Sequence, residues 1–190
     1  MKNTNKKLRP VKLNKIFDDI IDPYRICLLG IMSLHDLSVQ EHFLNEIPDN
    51  IATASIASSF PGENISFPIK DIIRMIQSDQ KKSPQILTQK SFITLTRMFV
   101  IYSYNIFEES GLLKTYWEKP MIQFFYHIRN GCAHNNRFYF KNKKKLNFPA
   151  KWKGKNITIS LEDEIVINDF FKDGDLIHLL QDISNLINAQ

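Results

Sequence analysis

Apolar residues in the second half of the chain recur at helical spacing and predict a helical bundle. From Met98 to Phe107 apolar side chains would face nearly every direction of a helix that spans 84–109 and ends before Gly111. A helix without a polar face is typical of the centre of a bundle. A second apolar stripe predicts its antiparallel neighbour and consists of Met121, Phe125, Ile128 and Cys132.

Shorter patterns predict the remaining helices. Residues 15–36 have helical periodicity, and Ser38-Val39-Gln40-Glu41 has the form of a capping box that starts a short helix. A further short helix is expected over 68–77, and a final amphipathic helix should follow Asp173-Gly174-Asp175. Small residues, glycine and proline within 49–68 predict a long connection.

Between the last two predicted helices, apolar residues alternate with polar ones. The alternation over 146–168 predicts a small antiparallel meander of two or three strands. Residues 1–14 are polar and basic without periodicity, which predicts a flexible arm. The expected fold is therefore mainly α, a helical bundle with a small antiparallel β insertion before the C-terminal helix, in a single domain over 1–190.

The composition is that of an ordinary soluble protein, with 43% hydrophobic and 24% charged residues. Cys27 and Cys132 are the only cysteines, so we expect no disulfide framework and a cytoplasmic location. The apolar run 26–34 is too short to span a bilayer, and no membrane association is expected. Basic residues within 2–15 and 137–155 account for much of the net charge of +5.

The candidate functional residues stand at the end of the second apolar stripe, in Arg129-Asn130-Gly131-Cys132-Ala133-His134. Arginine presents a planar fork of donors to phosphate oxygens, and histidine exchanges a proton near neutral pH. Both suit RNA cleavage, in which a 2′-hydroxyl attacks the adjacent phosphorus. On an unbroken helix Arg129 and His134 would point about 140° apart. We therefore expect the helix to stop at Gly131 and the chain to bend at Asn130-Gly131.

This segment resembles the signature of the HEPN superfamily (higher eukaryotes and prokaryotes nucleotide-binding). In that signature an arginine is often followed by a polar residue, and a histidine stands four to six positions after the arginine. The aromatic helix that leads into the segment and the long apolar helix upstream strengthen the resemblance, which covers roughly residues 70–190. It is closest to the HEPN proteins of bacterial defence and toxin systems.

The resemblance implies a helical HEPN-like bundle that acts as an endoribonuclease without a metal or other cofactor. Arg129 would bind and stabilise the scissile phosphate, and His134 would be the acid or base. Asn130 would hydrogen-bond the substrate or hold the histidine in place. HEPN nucleases dimerise so that two motifs face one cleft, which implies a homodimer. The implied setting is antiviral defence or a toxin–antitoxin system, with an antitoxin or inhibitor protein as a further partner.

Basic residues after the motif are candidates for RNA binding. They are Arg137, Lys141, Lys143, Lys144 and Lys145. Nearby aromatic residues that could stack on unpaired bases are Phe138, Tyr139, Phe140 and Trp152. The alternative interpretation is a solvated lysine-rich loop over a small sheet whose aromatic residues face the core.

Further alternatives are open at the sequence level. Arg129 could bind carbonyls at the helix C-terminus while His134 caps a turn or packs in the core. A metal site from His127, Cys132 and His134 lacks a fourth ligand at finger-like spacing. The chain could also be a non-catalytic RNA- or nucleotide-binding module, or a protein-interaction module whose aromatic helix is an interface.

Overall fold

The computed structural model describes residues 17–48, 53–56, 65–82, 86–141, 146 and 148–189. It is mainly helical, which confirms the predicted fold class. In chain order the elements are α1 (Asp18–His35), α2 (Leu37–Asn45), β1 (Thr53–Ile56), β2 (Ile65–Pro68), α3 (Ile69–Lys82), α4 (Ile86–Glu109), α5 (Leu112–Tyr116), α6 (Pro120–Ala133), β3 (Ala150–Trp152), β4 (Lys155–Ile157), a 3-10 turn (Ile159–Leu161) and α7 (Asp173–Asn188). None of the helices described is long and apolar enough to cross a membrane.

The described residues divide into two compact units. One lies within Met1–Arg25 and Ile93–Gln190, and the other lies within Ile26–Phe92. The prediction of a single domain stays a prediction. The predicted arm over 1–14 lies outside the described residues.

In the second unit, residues 49–68 contain a strand pair where a long connection was predicted. β1 runs antiparallel to β2, with Ala54 opposite Phe67 and Ser55 opposite Ser66. The prediction was wrong because each strand has only four residues, too few for a clear alternation. The fully buried Gln40 of α2 joins this helix to α3, since its side-chain nitrogen donates to Gln80 Oε1 at 3.2 Å.

Helix α2 begins two residues earlier than its predicted capping box implies, at Leu37. Asp36 is the N-cap, and its carboxylate accepts hydrogen bonds from the backbone nitrogens of Ser38 at 2.9 Å and Val39 at 3.2 Å. The predicted capping box that starts at Ser38 is therefore wrong, because the preceding aspartate satisfies the free donors of the first turn.

The core of the first unit is built around α6. Phe124 on one side of this helix contacts Trp152 of β3 and Phe171 before α7, with ring centroids 5.5 and 6.2 Å apart. Phe125 on another side meets the ring of Tyr104 on α4 at 5.2 Å. Helix α6 thus packs on one side against α4 and on another against β3, and these contacts fix its position.

The β insertion has two strands among the described residues, β3 and β4, with Ala150 opposite Ile157. The antiparallel pairing confirms the insertion, but the stretch 165–167 forms only isolated bridges, from Arg137 to Ile165 and from Ile167 to Phe171. Its apolar residues instead pack into the core, where Val166 and Ile167 are fully buried. A continuous buried run without alternation does not distinguish a strand from an irregular core segment.

Candidate functional site

Helix α6 continues through the predicted bend. Gly131 is helical, and the helix ends only at Ala133, with His134 as the C-cap residue. The predicted stop at Gly131 and the bend at Asn130-Gly131 are therefore wrong. The glycine serves close packing, because a Cβ atom there would lie 2.3 Å from Val166 Cγ2 and 3.2 Å from the Arg137 carbonyl oxygen.

The chain reverses just after His134. Asn135 and Asn136 both have left-handed backbones, with φ of 55° and 63°, a conformation that asparagine tolerates better than most residues. The buried Asn136 side chain then bonds both backbone groups of Ile167, as acceptor at 2.9 Å and donor at 3.0 Å. These bonds fix the position of His134 through the turn that follows it.

Arg97 of α4 fixes the same end from the other side. Its Nε and Nη2 donate to the Cys132 carbonyl oxygen at 3.0 and 2.8 Å, one of the carbonyls left free at a helix C-terminus. The alternative in which Arg129 binds a terminal carbonyl does not hold for Cys132, because Arg97 binds that carbonyl, whereas His134 does stand at the C-cap of α6. Sequence analysis missed Arg97, although it is the only charged residue between Lys90 and Glu108.

A cavity of about 570 Å³ opens beside this helix end. Its polar lining residues include Asn130, His134 and Lys141, three of the predicted site residues. His134 is exposed, and its ring lies 4.4 Å from that of Tyr139, with the two planes tilted by 31°. The structure therefore brings a histidine, an amide, an ammonium group and an exposed aromatic ring to one opening.

Arg129 is not among the described residues that line this cavity. Its guanidinium carbon lies 5.5 Å from the centre of the Tyr104 ring. Nη1 donates to Asn130 Oδ1 at 3.3 Å, and Nε is buried with no hydrogen-bond partner among the residues that the structure describes. Arg129 is thus joined to the cavity through Asn130. Burial and the nearby Glu108 carboxylate raise the pKa of Tyr104, the residue on which the guanidinium packs.

His127 forms part of the cavity wall. Its ring lies 5.0 Å from that of Tyr126 and 5.3 Å from that of Phe140. Burial lowers the pKa of His127 to about 4, so the imidazole is neutral at physiological pH. Its Nδ1 is buried and finds no partner within the described part of the chain, which leaves one polar atom beside the cavity unsatisfied.

The predicted RNA-binding residues divide into three groups. Lys141 lies at the cavity and is exposed. Arg137 instead donates through Nη1 to the Asp163 carbonyl oxygen and is not among the described lining residues. Lys143, Lys144 and Lys145 lie outside the described residues.

The aromatic residues near the motif mostly face the core. Phe138, Phe140 and Trp152 are 1%, 2% and 6% exposed, whereas Tyr139 is 46% exposed. The hypothesis that all of them stack on bases is therefore wrong for three of the four, because the strand-like alternation over 138–140 turns two rings inward. Tyr139 alone of these rings is available to a ligand.

The alternative metal site is not formed by the described residues. No group of three or more His, Cys, Asp or Glu side chains comes together among them. Cys132 is fully buried, and burial raises the pKa of its thiol to about 12, so it stays protonated. His127, Cys132 and His134 are therefore not brought together as a set of ligands in the described part of the chain.

No protein-family model, no curated protein and no solved structure matches this chain. The resemblance to HEPN proteins stays a prediction. The chemistry of the chain is consequently inferred from the end of α6, the turn after it and the cavity that they border.

Proposed function

We propose that this protein is a metal-independent endoribonuclease of the HEPN type, acting as a homodimer in bacterial defence or a toxin–antitoxin system. The observation that carries the proposal is the convergence of His134, Asn130 and Lys141 at one cavity. Asn130 is in turn hydrogen-bonded to Arg129. A group able to transfer a proton, a cation able to bind a phosphate and a guanidinium fork bonded to Asn130 together support the proposal.

Each group has a role in transfer of the phosphoryl group within RNA. His134 takes the proton of a 2′-hydroxyl, and the 2′-oxygen then attacks the adjacent phosphorus. The 5′-oxygen leaves and receives a proton, which gives a 2′,3′-cyclic phosphate and a 5′-hydroxyl. Arg129 stabilises the negative charge that develops on the phosphate oxygens. Its bond to Asn130 uses only one of its five donors.

The reaction needs a base and an acid, and each chain supplies one His134. We infer that the same residue of a second copy supplies the other, so activity depends on the homodimer. Lys141 at the rim would hold a neighbouring phosphate. A protein that covers this rim would block the substrate, which is the surface expected for an antitoxin or inhibitor.

A second candidate function is favoured by the placement of Arg129. The guanidinium packs on Tyr104 and lies off the cavity lining, as expected for a group with a structural role. In that case the cavity would bind RNA or a nucleotide without cleaving it. Binding would then survive the change His134→Ala, and the wild type would cut nothing.

Cleavage of mixed cellular RNA in the presence of a chelator tests the proposal. The samples are the wild type, Arg129→Ala and His134→Ala, with His178→Ala on the exposed face of α7 as a matched control. We expect the wild type and the control to leave cyclic phosphates, and both motif variants to lose at least about 100-fold in rate. Rate per molecule should also fall on dilution below the dimer dissociation constant.

Two results would refute the nuclease. A folded wild type that leaves RNA intact, or motif variants that cut as fast as the control, would remove the catalytic assignment. In the first case, RNA affinity that falls steeply with salt would support the binding module.

A further inference from the structure

We infer that the cavity beside His134 is a subsite for one unpaired nucleobase, with Tyr139 as its stacking platform, so that the ligand is single-stranded RNA. This inference rests on the proposed function in taking RNA as the ligand. It extends that function by assigning the strandedness of the substrate and a residue that selects it.

The size and walls of the cavity suit a flat aromatic ligand. Its volume of about 570 Å³ falls within the roughly 300–1,000 Å³ of typical small-ligand sites. Trp117 and Tyr126 contribute aromatic surface to its lining. Their rings are edge to face at 5.1 Å, an arrangement that holds this wall in a fixed position.

Tyr139 supplies a platform at the opening. It is 46% exposed, whereas its neighbours Phe138 and Phe140 are buried. The His134 ring lies against one face of the tyrosine, with ring centroids 4.4 Å apart, so a base would stack on the remaining exposed surface. His134, the group proposed to take the 2′-hydroxyl proton, lines the same cavity as this ring.

The Asn130 amide is available at the cavity to bond the edge of a base. Asn130 Oδ1 is engaged by Arg129, which leaves the two amide hydrogens of Asn130 as donors. His127 contributes a neutral imidazole to the cavity wall, which adds no charge beside the base.

These features exclude a paired base. A base within a duplex has its pairing edge occupied and both faces stacked on its neighbours, so it cannot enter a cavity or lie on Tyr139. Lys141 at the rim can bind a phosphate of either form. The selection of single strands is therefore assigned to the cavity and Tyr139, and general affinity to the lysine.

Binding of an uncleavable probe tests the subsite separately from cleavage. The probe is a fluorescent 2′-O-methyl RNA oligonucleotide, which has no free 2′-hydroxyl to attack. Proteins are the full-length wild type, Tyr139→Ala, Tyr139→Phe and, as a matched control, Tyr102→Ala, whose ring on α4 is 55% exposed. Fluorescence anisotropy gives the dissociation constants, and circular dichroism confirms folding.

We expect Tyr139→Ala to weaken binding of the single strand about 10-fold, while Tyr139→Phe and Tyr102→Ala stay within about two-fold of the wild type. A set of probes with one abasic position each identifies the base concerned. On the probe that lacks this base, wild type and Tyr139→Ala should bind equally. The blunt duplex should bind at least about 10-fold more weakly than the single strand.

Equal affinity of wild type and Tyr139→Ala for the intact single strand, or equal affinity for duplex and single strand, would overturn the subsite. Its failure is distinct from failure of the nuclease. Binding that depends on Tyr139 in a protein that cuts no RNA would refute only the nuclease. Cleavage that is indifferent to Tyr139 and to every abasic position would refute only the subsite.

Discussion

Arg129 and His134 stand close together in sequence but are held by different kinds of structure. Arg129 lies on the body of α6, packed on the Tyr104 ring of α4. His134 stands in the turn beyond the helix, which is held by hydrogen bonds from Asn136 and, one turn back, by Arg97. One half of the site thus depends on helix packing, and the other half depends on a turn that distant residues fix.

The largest loss of stability is expected from Gly131→Ala, near the end of α6 and just before the turn. The added methyl group would meet Val166 Cγ2 at 2.3 Å, so we expect the free energy of unfolding to fall by about 3 kcal/mol and cleavage to be lost. Gly30→Ala on the exposed face of α1 has nothing within 4 Å and should raise stability by about 0.5–1 kcal/mol. Urea unfolding measures both, and equal effects would contradict the packing role of Gly131.

Arg97 offers the next largest effect. Removing both bonds to Cys132 with Arg97→Ala should lower the free energy of unfolding by about 2 kcal/mol. Arg97→Lys, which keeps the charge without the fork, should recover about half of this loss. Arg74→Ala is the control, because its ion pair with Asp71 is exposed and contributes less than about 1 kcal/mol. If Arg74→Ala lowers the free energy of unfolding by as much as Arg97→Ala, the two bonds from Arg97 to the Cys132 carbonyl have no special role.

Acid should weaken the fold through His127. The imidazole of the unfolded chain takes a proton below pH about 6.5, but the folded one does so only near pH 4. The free energy of unfolding therefore falls as pH drops from 6.5 to 4, by about 2 kcal/mol after allowance for partial exposure. His127→Phe should flatten part of this slope. Urea unfolding at a series of pH values measures this dependence. The same dependence of the free energy of unfolding on pH in His127→Phe and wild type would contradict the role of His127.

The smallest effects on the free energy of unfolding are expected from substitutions of the two motif residues, Arg129 and His134. Arg129→Ala should lower the free energy of unfolding by about 1 kcal/mol, because its stem and its contact with Tyr104 are lost. His134→Ala should change it by less than about 0.5 kcal/mol, since the ring is exposed. A larger loss for His134→Ala in thermal or urea unfolding would reverse the comparison.

The sequence predicted well the half of the site that depends on helix packing. Phe125, Ile128 and Cys132 are buried on α6 as their spacing required, and α4 ends at Glu109 before Gly111. These features follow from periodicity and from end signals that lie within a few residues of each other. The same spacing placed Arg129 beside the buried stripe, where it is half-buried.

The half of the site formed by the turn was not predictable in the same way. The expectation of a helix stop at Gly131 rests on the general preference of glycine for helix ends, whereas the role of this glycine depends on Val166, distant in sequence. Arg97 binds a backbone carbonyl, which any residue would offer. Tyr139 points to solvent while Phe138 and Phe140 point inward, because the backbone of Phe138 pairs with Asp163 and Glu164. Such facts follow from tertiary contacts and not from local pattern.

The helical state of Gly131 also protects the site from chemical ageing. An asparagine followed by glycine loses its amide when the glycine nitrogen attacks the side-chain carbonyl. In α6 that nitrogen is held in the helical backbone and cannot reach it. Unfolding releases this restraint and would turn Asn130 into a carboxylate that repels phosphate. Peptide mass analysis should therefore show conversion of Asn130 in protein aged in urea and much less in protein aged folded.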